Sequence, residues 1–365
     1  MVIGNPFPLK RNAGKSFQGS IVLGKGFIVT SEEAKALIDK HPRNKDVLFP
    51  YLNGDDLNND PQQKPSRWVV NFFDWTEEKA RTYSECFEIV ERRVKSERQR
   101  WKVDDSGNEI IGTYALRKPR VQKWWQYGER AAALYETISK LDQVMVINRH
   151  AKYLLISRIR ADFVYSEATV VIALNDPKVF SVLSSSVHEA WAWKNSSTMG
   201  GGTLRYSATQ AFEAFAFPAL TSKKVEEIGL TIEAFRKELM LKAVLGLTDL
   251  YNIFNRINLD GIEYKHDIYR LRQLHIDLDN IILDAYGWSD IRLNHDFYQM
   301  DYLPENDRVR FSIHPDARKL ILKRLLLLNH ELYSSELASK VTPQKGMRTK
   351  DKAQVPNLFS DPAGT

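Results

Sequence analysis

Residues 143–174 read QVMVINRHAKYLLISRIRADFVYSEATVVIAL, and along them apolar residues recur with a period of two. A strand presents successive side chains to opposite faces. QVMVINR, AKYLLISRI and DFVYSEATVVIAL therefore predict three or four strands of an antiparallel meander, with basic residues at the turn and the strand ends. On either side the period is that of a helix. Upstream, TEEKARTYSECFEIVERRVKSERQRW (residues 76–101) places Tyr83, Phe87, Val90 and Val94 on one stripe and leaves Arg92, Arg93, Lys95 and Arg98 for solvent or a partner. Downstream, DPKVFSVLSSSVHEAWAWK (176–194) reads as helix, carrying Val182, Val187 and Trp191.

Further from the meander, SIVLGKGFIVT (20–30) predicts a strand pair or a bulged strand. SEEAKALIDKHP predicts a short helix capped by Ser31 and closed by Pro42. SRWVVNFFDW (66–75) reads as a strand, residues 104–108 as a turn and WWQYGERAAALYETISKL (124–141) as a helix. MGGGTLRYS (199–207) reads as a loop: its three glycines suit either a flexible turn or a surface pressed against something bulky. Beyond Pro218 three long amphipathic segments follow, at 222–256, 266–286 and 315–336. The expected fold class is α+β. A mixed domain (1–218) with antiparallel strands and flanking helices precedes an all-α helical domain (222–338), and residues 339–365, without periodicity, are expected to form a disordered tail.

The chain has 365 residues, 43% of them hydrophobic, enough for a large core and about two domains. Cys86 is its single cysteine, which excludes an internal disulfide or a cysteine metal cluster and fits a reducing, cytoplasmic setting. No apolar run reaches the roughly 20 residues of a membrane span, and the first residues lack a signal-peptide core, so a soluble, unexported protein is expected. The net charge of +6 is unevenly spread. ERRVKSERQRWK, LRKPRVQKWW, NRHAK and SRIR all fall between Glu91 and Arg160, interleaved with Trp101, Trp124, Trp125 and Tyr127. Any one cluster could be a solvated helix face. Four of them, beside planar rings that can stack on bases, favour a polyanionic partner.

Catalytic motifs are absent in this reading. AGKS (13–16) has Leu9 where a phosphate-cradling loop needs its first glycine. GNPFP (4–8) lacks the second proline and the preceding strand of the base-gripping loop of amino-methyltransferases. HEAW (188–191) has no second histidine for zinc, which leaves His188 as a structural side chain bonding a carbonyl. No carboxylate spacing marks a metal site, and no catalytic or metal-binding residue is assigned.

Several stretches together carry a resemblance: SFQGSIVLGKGF, HPRNKDVLFPYLNGDDLN, PSRWVVNFFDW, RVKSERQR, SVLSSSVHEAW, LRYSATQAFEAFAFP, LHIDLDNIILDAYGW and LLLLNHELY. In order and spacing they resemble the C-terminal part of the large single-chain adenine-N6 DNA methyltransferases found among type IIG and IIL restriction-modification enzymes and phage-defence methylases. The resemblance covers about residues 15–336. It implies a target recognition domain followed by a helical domain, with double-stranded DNA as partner. The S-adenosylmethionine loop and the Asn-Pro-Pro-Tyr/Phe motif of the family would precede residue 1. The cofactor is therefore implied for a methyltransferase catalytic domain or subunit, and the chain reads as either a truncated product or a separate specificity part.

By the same resemblance, Lys194, Asn195, Ser196, Ser197 and Thr203 are candidate base readers. The turn carrying Arg149, His150 and Lys152 occupies the family's other reading loop. Arg117, Lys118, Arg120 and Lys123 are expected on phosphates, with Arg158 and Arg160. Arg205 and Tyr206 are expected as anchors, to phosphate or to the domain's own core. The alternative reading is a protein-interaction module that docks on a methyltransferase or phage-defence partner through its apolar last helix.

Overall fold

A computed structural model describes residues 4–341, and its class is α+β. The meander forms as its period dictates. Gln143–Asn148 lies centrally in a four-stranded antiparallel sheet, flanked by Ile156–Arg160 on one side and by Thr169–Ile172, then Ser16–Gln18, on the other. Both faces are covered. Met145, Ile147, Ile156, Val170 and Ile172 pack on the helices that follow. Val144, Val146, Ile159 and Val171 pack on Leu52, Leu134, Ile138 and Tyr165. A sheet buried on two sides explains why Val144–Ile147 is apolar at every position rather than at every second one.

A second sheet, ordered Val164–Tyr165, Leu48–Leu52, Arg67–Val70 and Ile28–Val29, is mixed, because Val164–Tyr165 joins Leu48–Leu52 in parallel. Residues 48–52 and the helix Gly54–Asn59 after them had no period by which to expect them. The helix Ser31–Lys40 is capped by Thr30 rather than Ser31: the Thr30 hydroxyl accepts from the Glu33 amide at 3.1 Å, and the Glu33 carboxylate accepts from the Thr30 amide at 2.9 Å.

The stretch 76–101 breaks into Glu77–Arg81, Ser84–Val90, a π turn at Glu91–Lys95 and Ser96–Arg98. Trp101–Val103 and Glu109–Tyr114 then form an exposed two-stranded ribbon around the predicted turn. Within 124–141 only Ala132–Ile138 is helical, since Ala131 takes a left-handed conformation (φ +51°). Trp124, Trp125 and Tyr127 are buried among Phe27, Phe87 and Val94, so three of the four rings expected to interleave with bases are core, while Trp101 is half-buried on the ribbon and stacks on Tyr114.

After the meander come Pro177–Ser184, Ser186–Asn195, Lys223–Ala243, Leu247–Phe254, Lys265–Tyr286 and Pro315–Val341. The segment 222–256 is two helices. Val244 (φ +53°) ends the first, and Gly246 lies so close to the Asn58–Asn59 backbone that a Cβ there would sit 2.4 Å away. The C-terminal part is not all-α, because Asp296–Gln299 pairs with Val309–Ser312. Nor does it have its own core: one cluster runs from Met145 through Phe215 to Leu325, across residues 218–222.

The last helix contributes Ile321 and Leu325 to that core. It also binds the segment at 4–12, where Asn329 bonds the Phe7 amide (2.9 Å) and carbonyl (2.8 Å) and Tyr333 stacks on Phe7. The helix runs to Val341, past the expected start of the tail at 339, and residues 342–365 lie outside the described part. No helix among the described residues is long and apolar enough to cross a membrane.

Candidate nucleic-acid interface

The two segments singled out as reading loops are neighbouring strands. Ser197–Met199 and Thr203–Arg205 form a hairpin, and His150–Ala151 pairs antiparallel with its second strand, placing Leu204 opposite Ala151 and Arg205 opposite His150. The glycine triplet closes the hairpin. Gly200 and Gly201 take φ of +58° and +78°, and nothing lies within 4 Å of a Cβ at either. The turn is thus the half of the expectation that holds: Gly200 and Gly201 are exposed, while Gly202 is half-buried and a Cβ there would meet Pro304 at 3.1 Å.

Two clamps hold this small sheet. The Tyr206 amide donates to the Arg149 carbonyl at 2.9 Å, and the Arg149 amide donates to the Ala168 carbonyl at 2.7 Å. Tyr206 itself is buried, and its hydroxyl meets His188 Nε2 at 3.0 Å. Tyr206 therefore anchors to the core and cannot reach a phosphate. His188 binds this hydroxyl rather than a carbonyl, and burial pushes its pKa down to about 3, which keeps the imidazole neutral.

With Tyr206 turned inward, alternation turns Arg205 outward beside Arg149. The two guanidiniums, with Gln18, Ser197, Ser207 and Thr209, line an open concavity of about 300 Å³. Among the described residues neither Arg149 nor Arg205 has a carboxylate partner. Burial and then the charge of Arg205 hold the Arg149 pKa below its ordinary value. Burial, then Arg149 and Arg205, lower that of His150. Like charges held together without a counter-charge make a site for an anion or for a hydrogen-bond-accepting edge. Gln18, Ser207 and Thr209 were not foreseen. Gln18 reaches the site because its side chain donates to the Glu167 carbonyl at 3.0 Å, a partner 149 positions away.

A second basic hollow, about 530 Å³, is lined by Arg117, Arg120, Lys123 and Arg130, with Lys118 exposed at its edge. Arg120 stands 3.6 Å from Glu129 and Arg130 3.4 Å from Asp74. The hollow connects to the small sheet through the main chain: Ile21 bridges Glu129, Gly19 bonds the Thr169 carbonyl, and Ala168 holds Arg149.

Other expected contacts are committed elsewhere. Lys152 pairs with Asp307 at 3.0 Å and donates to Asn252, tying the small sheet to the C-terminal helices instead of offering its charge. Arg158 pairs with Glu233 at 3.0 Å and with Asn175. Arg160 is held by Asp162 at the opposite end of the central sheet, where it faces Gln143. Six residue steps of about 3.3 Å each separate Gln143 from Arg149. Asn195 donates to the Trp191 carbonyl one turn back in its own helix, and Ser196 accepts from the Ser207 amide and so braces the hairpin. Lys194 and Ser197 are exposed and Thr203 is half-buried.

Residues 15–219 match the family of the MmeI target recognition domain. Among solved structures, the chain is similar to the type IIL restriction-modification enzyme MmeI in complex with DNA, at 15% identity and a TM-score of 0.61, a likeness of fold. The match covers 91% of this chain and spans 38% of that one. Comparison with curated proteins gave no match.

Proposed function

The chain belongs to the MmeI target recognition domain family, and from that premise we propose that it recognises a specific sequence in double-stranded DNA as the specificity part of a site-specific adenine-N6 DNA methyltransferase in a restriction-modification or phage-defence system. The observation that carries this reading is the pairing of Thr203–Arg205 with His150–Ala151, which gathers Arg149 and Arg205 on one outward face with no carboxylate between them. Guanidinium forks present two parallel donors and suit the O6/N7 edge of guanine in the major groove, while the neighbouring hydroxyls can donate or accept. Arg149 and Arg205, with His150, Ser197, Thr203 and Lys194 around them, are the proposed readers. Arg117, Arg120 and Lys123, which line the second hollow, and the exposed Lys118 beside them in sequence are the proposed phosphate contacts that set register.

Methyl transfer belongs, in this reading, to a catalytic domain or subunit that carries S-adenosylmethionine. The stretch of this chain nearest in sequence to a base-gripping loop, Asn5–Pro8, is closed against the last helix through Phe7 and Asn329, so it does not fit that role. No methyl-transfer step is assigned to this chain.

The test is selection of a randomised duplex pool by the purified chain, followed by sequencing. An enriched motif is expected, and Arg149→Ala should erase preference at one position of it while Lys123→Ala weakens binding to all duplexes alike. Binding with no enrichment, or a motif indifferent to Arg149, refutes the assignment of readers.

A further inference from the structure

Among the described residues, Arg98, Arg236 and Arg272 are buried without a carboxylate in ion-pairing distance. Backbone carbonyls accept several bonds from each of two of them. Arg98 donates to the carbonyls of Val22, Leu23, Trp124 and Gln126, and Arg272 to those of Phe254 and Arg256. Arg236 has a single such bond, to the Ile156 carbonyl. The rest of its guanidinium lines a cavity of about 80 Å³ where residues 153–156, the junction of the helices Pro177–Ser184 and Ser186–Asn195, the middles of Lys223–Ala243 and Lys265–Tyr286, the end of Leu247–Phe254 and the strand Val309–Ser312 converge.

The other charged side chains around that cavity each stand within 3.5 Å of an oppositely chargeable group. Asp279 accepts from the Ser186 amide at 2.7 Å and faces His295 at 2.8 Å. Glu189 stands 3.5 Å from Arg318, and Arg310 holds Asp307 at 2.9 Å. His275, bonded to the Tyr251 hydroxyl at 2.8 Å, is kept neutral by burial. One buried cation is left without a counter-charge, a costly arrangement in a low-dielectric interior. The hydroxyls of Ser186 and Ser312 line the same space and make no protein hydrogen bond there. The volume exceeds what a single water needs and suits a small polar ligand.

We propose that this cavity binds a small oxyanion, a carboxylate or a phosphate group, with Arg236 as its counter-charge and the Ser186 and Ser312 hydroxyls as further donors. The site lies between the central sheet and the C-terminal helices and does not depend on the DNA reading.

The test is thermal unfolding of the full chain in inorganic phosphate and in acetate, against chloride at matched ionic strength, with titration calorimetry for stoichiometry. One anion at a hundredfold above its Kd should raise Tm by about 2–5 °C with one site per chain. The rise should persist in the Arg149→Ala/Arg205→Ala double variant and vanish in Arg236→Gln. Should Arg236→Gln fail to fold, Ser312→Ala with Ser186→Ala decides, with binding weakened at least about tenfold expected. Response to phosphate alone or acetate alone identifies the ligand class. No rise with either anion, a rise retained in the cavity variants, or a rise lost in the double surface variant overturns the proposal.

Discussion

Arg98 and Arg149 come from basic clusters that look alike as sequence, ERRVKSERQRWK and NRHAK, and they end in opposite surroundings. Arg98 turns into the core and is ringed by four carbonyls; burial lowers its pKa, to about 10, yet leaves it charged at neutral pH. Its neighbours Arg93 and Lys95 pair with Glu33 and Glu91. Arg149 sits at the open end of the central sheet, and strand pairing brings a second arginine beside it rather than a carboxylate. The difference teaches that a run of lysines and arginines reports the amount of positive charge, whereas its use depends on which acceptors the fold sets within a few ångströms. Where carbonyls or carboxylates are there first, the cation is structural.

The largest expected effect tests the inward member. Arg98→Ala leaves four buried carbonyls without their donor and should lower the unfolding free energy by about 3–5 kcal/mol in urea titrations. A loss within about 0.5 kcal/mol would put Arg98 among the surface cations and erase the contrast.

The outward member should behave in reverse. Arg149→Ala and Arg205→Ala should each cost about 1–3 kcal/mol of discrimination between the selected duplex and single-base variants, read by fluorescence anisotropy, while stability stays within about 0.5 kcal/mol. If they destabilise the fold instead, they belong with Arg98.

His188 and His150 make the same comparison with a titratable ring. The unfolded chain takes up a proton as pH falls through the ordinary histidine value of 6.5, but buried His188 resists until about 3. Its contribution to stability is therefore present above about pH 6.5 and is lost as the pH falls, by about 2 kcal/mol over the first two pH units. Denaturant curves at several pH values should show the loss in wild type and less of it in His188→Gln. For His150, whose proton affinity is lowered by burial and by the two arginines, DNA should restore the proton, so affinity should rise on acidification. An affinity that is flat with pH would detach His150 from the interface.

The smallest contrast sets Lys123 against Arg160. Lys123→Ala should reduce the slope of log K against log salt by about 1, and Arg160→Gln, whose charge already faces Asp162, should leave the slope unchanged. Equal slopes for both variants would place DNA along a different face.

Much of the fold was legible. The meander and the long helices announce themselves because a buried face imposes a period of two or 3.6 on any segment long enough to repeat it. Short elements did not, among them Leu48–Leu52 and the ribbon at 101–114, because a few residues cannot establish a period. In the candidate site, the resemblance singled out residues 149–150, 203 and 205, but their pairing was not legible, since 55 positions separate Arg205 from His150. Lys152 and Arg158 were misread for the same reason: their partners Asp307 and Glu233 lie far along the chain. Tyr206 stayed open between phosphate and core until His188 appeared beside its hydroxyl.

By itself, then, the amino-acid order determined an α+β chain rich in clustered positive charge, with family motifs in a set order, because periodicity and composition are properties of neighbours. Which cations remain available, which aromatic rings are core and which loops share a face were decided only by tertiary structure. Those outcomes depend on acceptors and like charges that become neighbours in space after remote segments have packed.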